Sequence, residues 1–246
     1  MGPTSAPQTS KRLVEQLEGI SNHFALSWLE HIEDVSLIHL GMATVAIAPS
    51  RPDLDFVNSI YGMPDSLEEA LAPYRAAGVR PWVEVPPGRP EFERKLEAAG
   101  LERFINHTIV MGPAEAPAPE LEVEAGNALL CAETFVKAVG APIQDVASIK
   151  QWPGKLYIAF VDGEPAGAAA LTIHGTLGHL ANVATIPEFR GRGVQTALIR
   201  QRIRDAATAG CTQIVSGSSN EISKRNLERA GLREIYRNTV WRGAAI

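Results

Sequence analysis

The sequence predicts a mixed α/β protein in which helices flank an open β-sheet. Amphipathic helical segments alternate with short strand-like runs, and most of the helical segments stop at a glycine. A helix-to-strand unit also occurs twice, because Lys95–Gly112 aligns without gaps with Asn226–Gly243. Such alternation with short connections is typical of the α/β class. A chance similarity between two amphipathic helix ends is the alternative explanation of the repeat.

Composition and charge narrow the class of protein. The chain has 246 residues, 45% hydrophobic and 21% charged, which suits one large or two small globular domains. A formal net charge of -5 gives no electrostatic reason to expect nucleic acid or an anionic membrane as a partner. Cys131 and Cys211 have no second cysteine at ligand spacing, as expected of buried thiols in a reducing compartment. With no signal-peptide pattern and no apolar run near ~18 residues, a cytoplasmic location is predicted.

A segment rich in proline and alanine separates the two copies of the repeat. Residues 112–119 read GPAEAPAP, which can continue neither a helix nor a central strand. We therefore predict a flexible tail over residues 1–10, a first domain over 11–112, a linker over 113–119 and a second domain over 120–246.

Hydrophobic periodicity and turn residues predict the individual elements. In the first half they indicate a helix from Lys11 to about Glu33, strands within Leu37–Ala48 and a helix over Leu67–Ala77. In the second half they indicate a helix, a hairpin, a strand, a helix and a strand, over Leu129–Val139, Leu156–Val161 with Ala166–Ile173, Leu177–Ile186, Val194–Ala209 and Thr212–Ser216.

The turn between the predicted strand Leu177–Ile186 and the predicted helix Val194–Ala209 has the composition of a ligand-binding loop. Pro187 cannot donate to a sheet ladder and therefore closes the strand, and a helix begins near Val194. Gly191 and Gly193 permit positive φ angles and let a ligand approach the backbone closely. Many strand-to-helix turns need glycines for backbone shape alone, which is the structural alternative.

The start of that helix is predicted to bind an anion. The first amides of a helix have no intrahelical partners, and the helix dipole adds positive potential at the same place. A phosphate or pyrophosphate suits such a site. The predicted site comprises Arg190, Gly191, Arg192, Gly193, Val194, Gln195 and Thr196. The loop is neither a Walker motif nor GxGxxG, so a nucleoside triphosphate or NAD is not favoured.

The order of elements around this loop is more specific than the loop itself. PEFRGRGVQTAL is followed by a helix, Ala209-Gly210, a strand and NEISKRNLERAGL. This succession, over Leu121–Gly243, resembles the GNAT N-acetyltransferase superfamily, whose motif Arg/Gln-x-x-Gly-x-Gly/Ala follows the fourth strand. The matching positions are Arg190 and Gly193 in the motif and Asn220, Gly231 and Leu232 downstream.

The resemblance implies two GNAT-like domains in tandem, the first degenerate and the second complete. It implies an acyl-CoA-dependent N-acyltransferase that moves acetyl from acetyl-CoA to a primary amine of a small molecule or peptide by direct attack. The amides of residues 190–196 would hold the CoA pyrophosphate. Main-chain groups of Ala184, Thr185 and Ile186 would pair with the pantetheine arm. Three polar residues, Asn220, Ser223 and Asn226, complete the cofactor-binding set.

The predicted catalytic residues are His179, Asn182 and Ser223. His179 falls where several family members place a glutamate, and an imidazole with a pKa near ~6.5 suits proton acceptance at neutral pH. The alternative is that His179 is a half-exposed strand residue with no catalytic role. Asn182 would orient substrate or water. Leu227 stands where the family frequently has a tyrosine acid. Ser223 is the predicted proton donor in its place, and a water or Tyr236 is the alternative.

Other function hypotheses remain open at this stage. Leu227 and the degenerate first half are also compatible with a sensor that binds acyl-CoA without turning it over. A third hypothesis is a plain α/β domain whose glycine turn binds no ligand. The expected partners are acetyl-CoA and a small amine, as a monomer or a homodimer. The six histidines show no ligand-like pairing, so no metal site is predicted. The row Arg200, Arg202 and Arg204 is predicted to be a solvated surface.

Overall fold

The computed structural model describes residues 9–52, 54–142 and 145–243, so residues 1–8 of the predicted tail lie outside the described residues. It divides into two compact units. The first unit contains the residues up to His107 and those from Tyr236 onward, and the second contains Thr108–Ile235. The linker and domain boundaries predicted around residues 113–119 stay a prediction, because a division by contacts does not identify the copies of a repeat.

The first unit confirms the predicted mixture of helices and strands. Ser10 starts the first helix by accepting a hydrogen bond from the Leu13 N–H. The helix that begins at Leu67 ends as predicted before Gly78, which has a φ of 65°. The elements in chain order are α1 (Lys11–Leu29), β1 (Ser36–Leu40), β2 (Ala43–Ile47), β3 (Ser59–Tyr61), α2 (Leu67–Ala77), β4 (Trp82–Val85), α3 (Pro90–Ala98) and the first part of β5 (Leu101–Pro113).

The second unit also has element bounds close to those predicted. Its hairpin turns at Asp162 and Gly163, since Val161 pairs with Glu164. The helix over Ala128–Val139 ends at Gly140, which has a φ of 70°. The elements after β5 are β6 (Val123–Ala125), α4 (Ala128–Val139), α5 (Val146–Ile149), β7 (Lys155–Val161), β8 (Glu164–His174), β9 (Leu177–Thr185), α6 (Val194–Thr208), β10 (Gln213–Ser218), α7 (Glu221–Arg229) and β11 (Arg233–Gly243).

Each unit pairs a strand from one half of the sequence with a strand from the other half. In the first unit the strand order is β1-β2-β3-β4-β11, and Thr239 of β11 lies opposite Val85 of β4. In the second unit the order is β5-β10-β9-β8-β7-β6, and Ser218 of β10 lies opposite Thr108 of β5. The strand that ends the second aligned segment, β11, therefore pairs with β4, which precedes the first segment. Likewise β5, which ends the first segment, pairs with β10, which precedes the second.

The core of the second unit fixes α6 on the sheet. Leu198, Ile199 and Ile203 of α6 are fully buried in one apolar cluster with residues of β7 to β10. Gly178 of β9 allows close contact, because a Cβ there would lie 2.9 Å from the Ala206 Cβ. This packing holds the N-terminal end of α6 beside the end of β9, where the predicted anion site lies. Within the described ranges, no helix is both long enough and apolar enough to cross a bilayer.

Candidate active site

The candidate site is a cleft that opens between two parallel strands of the second unit. β9 and β10 pair from Leu177 opposite Gln213 to Leu180 opposite Ser216. β9 continues to Thr185, and over this length it pairs with β8 alone among the described strands. The main-chain edge of β9 that faces away from β8 is therefore available to a ligand that can hydrogen-bond to a strand.

A β-bulge marks the place where the two strands separate. In the β8–β9 ladder Ala170 lies opposite Ala181 and Ala169 lies opposite Val183, so Asn182 has no partner on β8. Asn182 also has a positive φ of 31°, a backbone region in which asparagine is tolerated better than most residues. The bulge redirects the second part of β9, as extra residues in a strand do. The sequence predicted a substrate-orienting residue at Asn182 but not this backbone feature.

The predicted anion site lies at the N-terminus of α6. Gly191 and Gly193 have φ angles of 79° and 82°, so both need the left-handed conformation that glycine adopts without strain. Gly193 is the N-cap and has no side chain to cap the helix. The Ala197 N–H bonds to the Gly193 carbonyl, so the amides of residues 194–196 precede the first intrahelical bond. These amides form a positively polarised end that suits an anion.

The two loop arginines differ in their surroundings. Arg192 forms an exposed ion pair with Asp162, with a distance of 2.7 Å between nitrogen and oxygen. Its guanidinium also lies 5.8 Å from the ring centre of Phe189. Arg190 is exposed, and its N–H bonds to the Pro187 carbonyl. An exposed pair of this kind is weak, so an anionic ligand can compete with Asp162 for Arg192.

A hydrogen-bond network turns the Gln195 side chain away from the start of the helix and towards α7. The Gln195 amide nitrogen donates to the Ser223 hydroxyl oxygen over 2.8 Å, and Asn226 donates to the Gln195 amide oxygen over 2.6 Å. Asn220 caps α7 by accepting from the N–H groups of Ile222 and Ser223. The side chains of Gln195, Ser223 and Asn226 thus come together, while Asn220 has a local capping contact.

Several predicted cofactor-binding residues offer main-chain groups only. Ile186 is 1% exposed and Val194 is 2% exposed, so their side chains belong to the core. Ala184 and Thr185 are half-buried and lie on the part of β9 that extends beyond β10. Leu227, at the position of the family's frequent tyrosine, is 3% exposed and packs in the same core.

His179 lies near the point where the strands separate. It lies opposite Thr172 of β8 and Val215 of β10, one residue before the last β9–β10 pair. Its Nδ1 is 3.4 Å from the Thr172 hydroxyl oxygen, which also lies 3.0 Å from Nε2 of His174. The structure thus places His179, Asn182 and the free edge along the single strand β9, and Ser223 on the helix α7.

Sequence reasoning was wrong about one basic residue. Arg202, predicted to be solvated, is 1% exposed, whereas Arg204 is exposed. The prediction failed because both arginines lie on α6 and only the packing of that helix decides which one faces the sheet. Among the described residues, no group of three or more histidine, cysteine or acidic side chains is arranged to hold a metal ion.

Comparisons with known proteins bear on the fold and on the family of the second unit. A family model described as the acetyltransferase (GNAT) family matches residues 128–232. A search of curated proteins found no significant match. A solved GCN5-related N-acetyltransferase from Kribbella flavida has a TM-score of 0.64 at 17% identity, covering 91% of this chain and 95% of its own. A GCN5-related N-acetyltransferase from Sphaerobacter thermophilus has a TM-score of 0.59 at 17% identity, covering 85% and 84%.

A further solved structure, a tandem GNAT protein from the clavulanic acid biosynthesis pathway, has a TM-score of 0.59 at 13% identity. The match covers 100% of this chain and 91% of that protein. Likeness at these identities establishes the fold, and the family model adds a sequence match over the segment that contains the cleft. Residues 128–232 of this chain therefore resemble the acetyltransferase (GNAT) family in sequence, and the chain shares the fold of solved GNAT proteins.

Proposed function

We propose that the second unit transfers the acetyl group of acetyl-CoA to a primary amine of a small molecule or peptide. The observation that carries this proposal is the cleft, in which β9 and β10 diverge beside the uncapped N-terminus of α6. The match to an acetyltransferase family over residues 128–232 supports acyl-CoA-dependent chemistry. The cytoplasm is the expected location, and a monomer and a homodimer remain equally compatible with the proposal.

The cleft fits the two chemically distinct parts of CoA. A Cβ atom at Gly191 or Gly193 would meet no heavy atom within 4 Å, so the loop is open where a pyrophosphate would approach the amides. The free edge of β9 from Asn182 to Thr185 offers main-chain donors and acceptors to the amides of the pantetheine arm. Acetyl-CoA supplies an activated thioester carbonyl to this arrangement.

The predicted catalytic residues have defined tasks in this proposal. His179 accepts a proton from the substrate ammonium, so that the neutral amine can attack the thioester carbonyl. The new C–N bond forms as the C–S bond breaks. Ser223 donates its hydroxyl proton to the departing sulfur and takes up a proton from the attacking nitrogen, which becomes the neutral amide. Ser223 accepts from Gln195, which leaves its own hydroxyl hydrogen available to donate. Asn182 orients the amine at the bulge.

We also propose that the first half of the chain is a degenerate GNAT-like copy, as the repeat predicts. Its helices and strands after β2 follow in the same order as those after β9, apart from the short β3. It lacks a counterpart of the Arg190-x-x-Gly193 pattern before α2, so CoA binding is assigned to the second half alone.

The proposal is tested by titrating acetyl-CoA into the purified protein in a calorimeter. We expect a Kd in roughly the micromolar range for the wild type. The double variant Gly193→Asp with Arg190→Ala should weaken binding about a hundredfold, because it removes a cation and places a carboxylate beside the pyrophosphate. A panel of primary amines is then assayed for release of free CoA thiol.

The matched control is Gly210→Asp with Arg204→Ala. Gly210 also has a positive φ, 90°, and open space around its Cβ position, but it follows the other end of α6. The control therefore carries the same backbone strain and the same charge change without touching the loop. Absence of binding to the wild type would contradict the proposal. Tight binding without turnover of any amine would instead favour an acyl-CoA sensor.

A further inference from the structure

Arg202 is a buried cation in the core of the second unit. It lies on α6 and is 1% exposed. Among the residues that the structure describes, no acidic side chain forms an ion pair with it; its hydrogen bonds go to main-chain carbonyls. Burial lowers the pKa of Arg202 to about 10, so the guanidinium remains charged at neutral pH. A buried charge of this kind is costly, and its bonding pattern shows what it stabilises.

The guanidinium bridges the two strands at the bulge. Nη1 donates to the Ala170 carbonyl over 2.9 Å and to the Ala181 carbonyl over 3.0 Å. Nε donates to the Leu198 carbonyl of its own helix over 3.0 Å, which holds the side chain in place. Ala170 and Ala181 form the last pair of the β8–β9 ladder before Asn182 interrupts it.

The hydrogen bonds from Arg202 satisfy main-chain carbonyls at the point where the bulge interrupts the β8–β9 ladder. An extra residue in a strand leaves main-chain groups without their regular partners, and a buried carbonyl without a partner is unfavourable. Arg202 supplies charged donors to both strands at this point, and charge-assisted bonds are stronger than neutral ones. An apolar residue of similar size would fill the space but would leave the two carbonyls without these donors.

The same bulge directs the part of β9 that lines the cleft. β9 leaves β10 after Leu180, and the carbonyl that Arg202 holds belongs to the next residue, Ala181. We propose that Arg202 is a positioning residue for the acyl-CoA arm, because it holds the bulge that sets the direction of residues 182–185. This inference rests on the proposed function, since it names the residue that shapes the same cleft.

Two ligands separate this positioning role from simple core packing. Acetyl-CoA uses the phosphate loop and the cleft, whereas adenosine 3′-phosphate 5′-diphosphate has the nucleotide end without the pantetheine arm. Arg202→Met should weaken acetyl-CoA binding about ten- to a hundredfold, because small displacements of positioning groups have effects of this size. Binding of the nucleotide should change by no more than about twofold. Arg202→Lys keeps the charge and a donor, and should recover part of the lost acetyl-CoA affinity.

The matched control is Arg204→Met, which makes the same chemical change on the exposed face of α6. It should alter neither affinity. Equal weakening of both ligands by Arg202→Met would show general damage to the fold and would contradict a positioning role. Unchanged affinity for acetyl-CoA in a folded Arg202→Met protein would contradict it as well.

A readout without ligand keeps this inference separate from the proposed function. Hydrogen exchange followed by mass spectrometry should show faster exchange in a peptide covering residues 181–186 in Arg202→Met than in the wild type and Arg204→Met. If the wild type does not bind acetyl-CoA, the proposed function fails while this measurement still decides whether Arg202 holds the bulge. Unchanged exchange over residues 181–186 would show that Arg202 does not hold it. If Arg202→Met does not fold, Arg202→Lys is used for the same comparison.

Discussion

Gly167 connects the packing of the second unit to the proposed phosphate site. It lies on β8 opposite Thr185, under the first turn of α6. A Cβ atom at this position would lie 2.6 Å from a methyl carbon of Val194 and 2.7 Å from the carbonyl oxygen of Ala184. It would also lie 3.4 Å from a methyl carbon of Leu198. Gly167→Ala therefore adds one methyl group where three neighbours already meet.

The size of the effect follows from these distances. Carbon atoms in good contact lie about 3.5–4.0 Å apart, so Val194 would have to move by about 1 Å. The Ala184 oxygen belongs to the β9 backbone and cannot rotate away, so α6 is expected to shift at its N-terminus. Overpacking of this kind costs about 1–3 kcal/mol in the free energy of unfolding. Because the amides of residues 194–196 move with the helix, acetyl-CoA binding should weaken about tenfold.

Urea unfolding and calorimetric titration with acetyl-CoA measure the two effects separately. Gly178→Ala is the matched control, because a Cβ there would lie 2.9 Å from both the Ala206 Cβ and a methyl carbon of Ile214. Ala206 lies near the other end of α6, so this variant should lose stability without a comparable loss of affinity. Equal weakening of binding by the two variants would refute the link between Gly167 and the phosphate site. Unchanged stability of Gly167→Ala would refute the packing argument.

Two further predictions concern α1 in the first unit. Glu18 accepts hydrogen bonds from Tyr236 and Asn238, and burial, together with the charge of Glu84, raises the pKa of Glu18. Because the folded-state pKa lies above the unfolded value, its stabilising contribution is complete below the unfolded pKa and is lost as the pH rises through the folded pKa. Glu18→Gln should therefore be more stable than the wild type near pH ~8 in urea unfolding, with a smaller difference near pH ~4. Gly19→Ala should stabilise the protein by about 0.5–1 kcal/mol in the same assay, because Gly19 is an exposed helical residue with open space around it.

The control for Glu18→Gln lies on the same helix. Glu15→Gln changes an exposed carboxylate of α1 and should show no comparable dependence on pH. A larger gain for Glu18→Gln at low pH than at high pH would contradict the assigned direction of the pKa. A loss of stability in Gly19→Ala would contradict the expected backbone effect, since no side chain lies near its Cβ position.

Much of the local structure could be predicted from the sequence because it depends on neighbouring residues. Gly78 and Gly140 end their helices in the left-handed conformation, as their positions after amphipathic segments predict. Pro187 follows the end of β9, and α6 begins at Val194 as predicted. The outward-pointing amides at the start of α6 are likewise a local consequence of helix geometry. The position of the candidate phosphate site therefore follows from sequence alone.

The cleft itself depends on residues that are far apart in the sequence. β11 pairs with β4 and β10 pairs with β5, and no pattern within those strands names these partners. The bulge at Asn182 exists through the register of β8 against β9, which is set by packing over the whole sheet.

The amino-acid sequence by itself thus determined the bounds of α2, α4 and α6 to within one residue, the glycine loop and the family resemblance. It placed the end of α1 near Glu33, whereas the helix ends at Leu29. Only the tertiary structure decided which polar side chains contact each other and which of the similar arginines on α6 is buried. Gln195 turns towards Ser223, and Arg202 is buried while Arg204 is exposed. Helix starts and stops follow from backbone sterics within a few residues, whereas burial follows from which face of a helix meets the sheet. The face of a helix that packs on the sheet is the one that gives the assembled core its lowest free energy, and every packed element contributes to that free energy.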